Sequence, residues 1–330
     1  MRRWASTAGA LAVLGLLLAA LVLAWLRVTD PTSRRLVEAV SLTPLGVPLA
    51  ALALALAGTA RWLAPRPVRL AAVVAAAGLL LAHCWWLAPL YTGSLRAGGP
   101  ASVVVLAQNF EYGDADALVE LVRREDVDVL VLTDAGNGRV DDLLAAGIEA
   151  QLPHAAGVGT EGAVVLSRLP LAWTRRLYPD SESRLVGLEV VGIGELTVAA
   201  VHTAPPYRPD GWRADHAEVL AALAPLASGP GAALVMAGDL NATPAHAPVR
   251  RLVDLGLADA AAQVNAGWSP TWPAGGRERR LGVPVPAFAA IDHVMTSPQL
   301  VVTAYDTVEL AGADHRGVLA RISVAASGSG

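Results

Sequence analysis

Three long apolar stretches fill most of the first 92 of 330 residues, and they restrict the fold of this part more than any other feature does. Residues 4–26 run without a charge. A helix of about 20 residues crosses the roughly 30 Å hydrocarbon core of a bilayer. Inside that core no water satisfies the backbone, so such a run must be helical. Residues 39–60 carry Pro44 and Pro48 but no charge, and residues 70–91 hold only His83 as a group that titrates near neutrality. The pattern predicts three transmembrane helices within a membrane region over residues 1–92. A cleaved signal peptide fits less well, because its apolar part spans about 7–15 residues and two further apolar runs follow here.

The chain contains no lysine, so its arginines set the topology. Arg2, Arg3, Arg61, Arg66 and Arg69 share one side of a three-span region, and Arg27, Arg34, Arg35 and Arg96 the other. Five against four favours a cytoplasmic N-terminus, a multi-pass protein of the cell membrane, and an extracytoplasmic domain after the last span. Cys84 is the sole cysteine, so no intrachain disulfide can form. His83, Cys84, Trp85 and Trp86 read as an aromatic belt at a helix end rather than as a metal or haem motif. Residues 93–100, with their Gly, Ser and Pro, read as a short linker that keeps a domain over 101–325 near the bilayer. Residues 326–330 read as a disordered tail.

Charge changes sign at the linker. The first 99 residues hold nine arginines against Asp30 and Glu38, whereas the remainder holds 16 arginines against 27 acids, a net −11. Much of the affinity for long nucleic acids comes from basic side chains neutralising phosphates, so this balance favours a small or lipid-borne partner. Strand-like runs at 102–107, 127–133, 163–166, 187–191, 196–201, 234–237, 290–296 and 318–322 alternate with helical patterns at 115–124, 140–150 and 215–226. That punctuation predicts an α/β domain.

Several of these runs end in polar clusters. Met236-Ala237-Gly238-Asp239-Leu240-Asn241-Ala242-Thr243-Pro244 closes one of them. An Asp and an Asn two apart at a strand end face the same way, where one can orient a water and the other hold a phosphate oxygen. Gly238-Asp239-Leu240-Asn241 also suits a turn in which Asp and Asn bond their own backbone. Gln108-Asn109, Val201-His202-Thr203, Ile291-Asp292-His293 and Asp314-His315-Arg316 each close or follow another apolar run.

In this order the clusters resemble the endonuclease/exonuclease/phosphatase superfamily, over about residues 100–325. Gly162-Ala163-Val164-Val165-Leu166-Ser167-Arg168 and Pro270-Thr271-Trp272-Pro273 look like that family's middle strand and substrate-side loop. The resemblance implies the deoxyribonuclease-I-like four-layered α/β sandwich, with two mixed β-sheets flanked by helices, and one metal-dependent site that hydrolyses phosphoesters. It implies that Asn109, Asp134 and Asp314 hold Mg²⁺ or Mn²⁺. Asp239 would deprotonate the water and Asn241 would donate to a phosphate oxygen. Asp292 would orient a His315 that faces the phosphate, and His202 would stabilise the transition state or protonate the leaving oxygen. Where the family usually has Glu, this chain has Asp134, shorter by one methylene at a metal that demands octahedral geometry near about 2.1 Å.

Other polar residues have simpler readings. His293 should face away from Asp292 and be structural, and His216 reads as surface. Arg184, Arg208 and Arg213 are candidate phosphate contacts, and Trp272 lines either the substrate mouth or the core. The functional expectation is a membrane-anchored metal-dependent phosphodiesterase or phosphatase whose partners are a phosphoester substrate and the lipid bilayer. An extracytoplasmic endonuclease is one alternative; a catalytically silent binding module of the same fold, for which Asp134 is the sequence support, is another. The loops at 205–212 and 266–286 carry no motif that names a substrate, and nothing in the sequence selects an oligomeric state.

Overall fold

The computed structural model describes residues 2–59, 65–93, 95–136, 138–159, 162–179, 181–227, 229 and 233–326, with side chains from residue 7 onward. Arg61 and residues 327–330 of the expected tail lie outside the described residues. The chain divides into two compact units.

The first unit comprises Met1–Pro89 with Ala245–Ala247. Its helices are α1 (Arg2–Thr29), α2 (Arg34–Val40), α3 (Gly46–Thr59) and α4 (Arg66–Leu87). Among the described residues two helical stretches, Thr7–Thr29 and Arg66–Leu90, are long and apolar enough to cross a membrane. The middle apolar run is broken. Arg34–Val40 and Thr43–Thr59 meet at a bend of 54°, and Pro44 sits in the 3₁₀ turn that opens the second piece, where its missing N–H stops α2 from continuing. The unit therefore offers two spans, or three if the bent pair counts as one. Its buried positions include the small residues Ala20, Ala50, Ala53, Ala57 and Ala76, while Leu14, Leu18, Leu21, Leu52, Val74 and Leu81 face outward. Small residues inside and large apolar ones outside is the pattern by which helices pack in lipid, where close backbone approach replaces a hydrophobic drive.

The second unit comprises Leu90–Pro244 and Pro248–Gly330 and contains two mixed six-stranded sheets flanked by helices. In chain order its elements are β1 (Gly98–Asn109), α5 (Ala115–Arg124), β2 (Val129–Thr133), α6 (Arg139–Ala145), β3 (His154–Ala156), β4 (Val164–Ser167), β5 (Leu171–Arg176), β6 (Arg184–Val190), β7 (Gly194–His202), α7 (Pro209–Ala227) and β8 (Ala233–Asp239). There follow α8 (Ala247–Asp254), β9 (Ala258–Asp259), α9 (Ala260–Gln263), β10 (Arg279–Arg280), β11 (Val283–Pro284), β12 (Asp292–Thr296), β13 (Leu300–Val308) and β14 (Gly317–Ala325). One sheet has the order β13-β14-β1-β2-β4-β3 and the other β5-β6-β7-β8-β12-β9, with β10 and β11 forming a separate hairpin. Each sheet is built on one parallel pair, β1 with β2 and β7 with β8. Antiparallel strands flank both pairs.

Residue choice on alternate positions sets this arrangement. In β1, Val103, Val105 and Ala107, with Val131 of the neighbouring β2, face the other sheet, where they meet Val186, Val198, Ala200, Val235, Ala237 and Val294. Val104 and Leu106 point the other way, with Leu118, Leu121, Leu130, Leu132 and Leu166. Valine and alanine suit the narrow space between two sheets about 10 Å apart. The longer leucines reach the covering helices, and burying each fully contributes about 2 kcal/mol. Strands buried on both faces read as continuous apolar runs, which is why their positions show in the sequence.

Candidate active site

At one end of both sheets the inward alternation runs on into polar residues. In β1, inward positions 103, 105 and 107 are followed by Asn109; in β7, 198 and 200 by His202; in β8, 235 and 237 by Asp239. Because β12 runs antiparallel to β8, Asp292 pairs directly with Asp239. Strand β14 runs antiparallel to β1, so His315, just before its start, reaches the same edge. The period of two along each strand thus converts the rim of the inter-sheet core into a cluster of acids, amides and imidazoles.

Asp134 joins this cluster by a different route. Strand β2 ends at Thr133, and Asp134 follows with φ +52. Asp and Asn tolerate that left-handed conformation better than other non-glycine residues, because their short side chains bond locally. Asn109 Nδ2 donates to Asp134 Oδ2 at 2.8 Å and to Asp239 Oδ2 at 3.1 Å, while its Oδ1 accepts from the Glu111 amide at 3.2 Å. The amide nitrogen of Asn109, not its oxygen, is therefore turned to the two carboxylates.

The Gly-Asp-x-Asn loop is held tightly. Asp239 Oδ1 accepts from the Asn241 amide at 2.7 Å, Asn241 Nδ2 donates to the Thr203 carbonyl at 2.9 Å, and Trp212 Nε1 donates to the Asn241 carbonyl at 3.0 Å. Gly238 has φ +138 and lies so close to β7 that an added Cβ would collide with the Val201 carbonyl oxygen. Gly238→Ala is expected to destabilise the domain by about 3 kcal/mol. A lowered urea midpoint with unchanged slope would register that loss.

Charges in the cluster are strongly coupled. His315 Nδ1 donates to Asp292 Oδ2 at 2.8 Å, and both side chains are almost wholly buried. Burial opposes the imidazolium, but the Asp292 carboxylate more than offsets it and the His315 pKa rises to about 10. Asp239 is pushed up to about 6, by burial first and then by the Asp292 charge. His202 lies 3.3 Å from Asp134 Oδ2 on one side and 3.6 Å from Glu182 Oε2 on the other. Burial works against its charged form, yet these carboxylates hold its pKa well above the usual value. Burial would raise Asp134, and the hydrogen bonds from His202 and Asn109 reverse that, leaving it below its usual value.

Two sets of side chains among the described residues offer ligand atoms within 4.8 Å of one another: Asp134, His202 and Asp239, and Asp239, Asp292 and His315. Asp239 belongs to both. Asp314 belongs to neither, and its Oδ1 is buried with no hydrogen-bond partner among the described residues. Carboxylate oxygens dominate the cluster, and such hard donors suit Mg²⁺ or Mn²⁺.

Two residues of the rim have roles that the sequence did not assign: Glu182, which lies in no motif, and Thr271, which lies in the Pro270-Thr271-Trp272-Pro273 loop. Glu182 sits in the loop before β6, and the β6–β7 register, which pairs Arg184 with Ala200, extends to set it opposite His202. That hairpin register is the signal by which it could have been found. Thr271 Oγ1 accepts from the Ile291 and Asp292 amides at 3.1 and 3.2 Å, fixing the start of β12. His293 behaves as expected of a residue facing away from Asp292: its nitrogens lie 2.9 Å from both Asp259 Oδ2 and the Ala242 carbonyl, bracing the loop from behind. Trp272 is half-buried against Phe288, with ring centroids 5.6 Å apart. Arg184 continues the inward positions of β6 and lies 3.3 Å from Thr174 Oγ1; Arg208 lies over Tyr207, and Arg213 is 3.9 Å from Asp210.

The surface reading of His216 is corrected. The helix α7 begins at Pro209, ahead of the expected 215, and turns His216 inward, where its ring lies 4.6 Å from that of Trp212 and Nδ1 is 2.6 Å from the Trp212 carbonyl. Burial lowers its pKa from 6.5 to about 4. Within that window the unfolded chain binds the extra proton, so stability falls as pH drops, by about 3 kcal/mol for this group at about 1.4 kcal/mol per unit. His216→Gln, which cannot charge, is expected to flatten this acid-side decline in urea midpoints measured between neutral pH and the acid end of the window.

The sandwich and its rim define a phosphoesterase-type α/β domain with a cluster able to take a divalent cation. The chain belongs to the endonuclease/exonuclease/phosphatase family, whose model matches residues 106–321 and whose members are hydrolases of phosphoester bonds. Among solved structures it is similar to an endonuclease/exonuclease/phosphatase from Bacteroides vulgatus, at 15 % identity and TM-score 0.54 over 68 % of this chain and 99 % of that one. It is also similar to D. rerio TDP2 complexed with a single-strand DNA product, at 13 % identity and TM-score 0.53 over 68 % and 99 %. The human Nocturnin catalytic domain with bound sulfate gives 15 % identity and TM-score 0.52 over 69 % and 96 %. These likenesses establish the fold. No curated protein matches the chain in sequence.

Proposed function

We propose that the chain is a membrane-anchored, Mg²⁺- or Mn²⁺-dependent phosphodiesterase or phosphatase acting on a lipid-borne or small phosphoester. The observation that carries this reading is the meeting of Asp134, His202, Asp239, Asp292 and His315 at one rim, in two sets of three that share Asp239 and whose ligand atoms lie within 4.8 Å of one another. Asp134 and Asp239 would hold the ion; Asp314, outside both ligand sets, would have to move to join them. Asn109 would have to turn its amide over to join them. Bound there, the ion would supply positive charge to the phosphoryl oxygens and lower the pKa of a water.

The side chains divide the remaining work. Asp239 accepts the proton of the attacking water. Asn241 has two amide protons; one serves the Thr203 carbonyl and the other is available to a phosphate oxygen. His315, charged and fixed by Asp292, stabilises the pentacoordinate transition state. His202, held charged between Asp134 and Glu182, protonates the leaving oxygen.

The apolar helices of the first unit support a bilayer anchor, and with the bent pair counted as a third span the arginine count supports an extracytoplasmic catalytic domain. The net −11 of the second part supports a lipid or small diester over nucleic acid. Full-length protein incubated with Mg²⁺ should hydrolyse phospholipid vesicles or an aryl phosphodiester faster than single-stranded or plasmid DNA. Preferential cleavage of DNA, with affinity falling steeply as salt rises, would replace this substrate class by a nuclease.

A further inference from the structure

The segment between Thr271 and Ala289 leaves and rejoins the fold beside the rim. Trp272 bridges to Ala289, the Ala274 amide donates to the Asp314 carbonyl at 2.6 Å, and Arg277 donates to the Gly312 carbonyl at 3.4 Å while lying 3.9 Å from the centre of the Tyr112 ring. Beyond this root stands the β10–β11 hairpin, in which every residue from 277 to 284 is exposed. Arg280 pairs with Val283, so the turn consists of Leu281 and Gly282, with φ +50 and +79. Two-residue turns with positive φ at both positions favour Asn or Asp followed by Gly. A leucine costs roughly 1 kcal/mol or more in that conformation. Leu281 is nevertheless fully exposed, and Val283 is 65 % exposed.

Backbone preference and water thus both disfavour the residue at the tip. Its surroundings are basic: Arg277, Arg279 and Arg280 against Glu278 alone, within a region of net −11. Arg279 braces the turn through the Gly282 carbonyl at 2.8 and 3.2 Å. An apolar tip ringed by arginines is complementary to an apolar phase beneath a layer of negative charge. A nucleic acid would answer the arginines, but it would leave Leu281 and Val283 in water.

We propose that the 277–285 hairpin docks on an anionic phospholipid bilayer, with Leu281 and Val283 in the headgroup layer and Arg279 and Arg280 on lipid phosphates. Docking would set the catalytic rim against the membrane surface. The inference rests on the reading of the chain as bilayer-anchored, and it names the surface that this anchored site faces.

The test uses full-length protein carrying Cys84→Ala and Leu281→Cys, labelled with an environment-sensitive fluorophore, in vesicles of phosphatidylcholine or of an equimolar mixture with phosphatidylglycerol. Val191→Cys is the control, since Val191 is 95 % exposed at the turn after β6, at the other end of that sheet. The label at 281 should shift to the blue and brighten several-fold in the anionic vesicles, while the label at 191 stays as in water. Arg280→Gln should lower the inserted population about fivefold, and added salt should weaken it further. Leu281→Asn suits the turn better than the native residue, so a label at Val283→Cys losing its response in that variant separates docking from folding. A label at 281 that reports water in both vesicles, or that responds to single-stranded DNA instead of lipid, overturns the proposal. The readout does not require turnover, so a protein that inserts its hairpin but hydrolyses nothing refutes the catalytic reading alone. A chain that fails to float with vesicles refutes the anchor and this inference with it.

Discussion

Asp239→Asn is expected to lower kcat for phosphodiester hydrolysis by about four orders of magnitude while changing KM little, because it removes both a proton acceptor and a shared anionic ligand. The substitution is nearly isosteric. An amide oxygen at this position can still accept from the Asn241 amide, now 2.7 Å away, so the loop should hold its shape. Burial and the Asp292 charge both make the Asp239 carboxylate more basic than a free one, which favours taking a proton from water. No other carboxylate replaces it, since Asp239 is the member common to both ligand sets. Steady-state kinetics with circular dichroism of the variant would separate this loss from unfolding.

Asp292→Asn is the second large effect, expected at about three orders of magnitude in kcat. The carboxylate 2.8 Å from His315 Nδ1 keeps that ring charged in a site that burial would otherwise leave neutral. An amide offers either a poorer acceptor or a donor, and both weaken imidazolium stabilisation where charge develops on the phosphate. The backbone pairing of residue 292 with Asp239 and its amide bond to Thr271 Oγ1 survive the change. The loss should therefore appear in kcat, with stability altered far less than in Gly238→Ala.

The parts of this fold that were legible in the sequence are those buried on both faces. Strands β1, β2, β7 and β8 are apolar runs ending in polar residues, and the rim residues Asn109, His202 and Asp239 follow from their alternation; β12 runs the other way and opens on Asp292. Edge strands were not legible. β5, with Leu171-Ala172-Trp173-Thr174-Arg175-Arg176 mostly exposed, and β13, buried only over its first three residues, lack the apolar run that marks a central strand. The start of α7 was hidden because Pro209-Asp210-Gly211 looks like a loop, although proline fits a first helical turn. Glu182 was invisible for another reason, since its place depends on strand register, and although the loop holding Thr271 was singled out, that residue's hold on the start of β12 depends on a return from far along the chain. Asp134, read as a departure from the family pattern, has a local cause in its left-handed backbone.

The most direct measurement is hydrolysis of an aryl phosphodiester by the full-length protein, first metal-stripped and then titrated with Mg²⁺ or Mn²⁺, beside Asp239→Ala treated identically. Activity that disappears on stripping, returns with the cation and never appears in the variant is the predicted result. Undiminished hydrolysis by Asp239→Ala, or a native protein that neither binds Mn²⁺ nor turns over, would contradict the account of this rim as a metal-dependent phosphoesterase site.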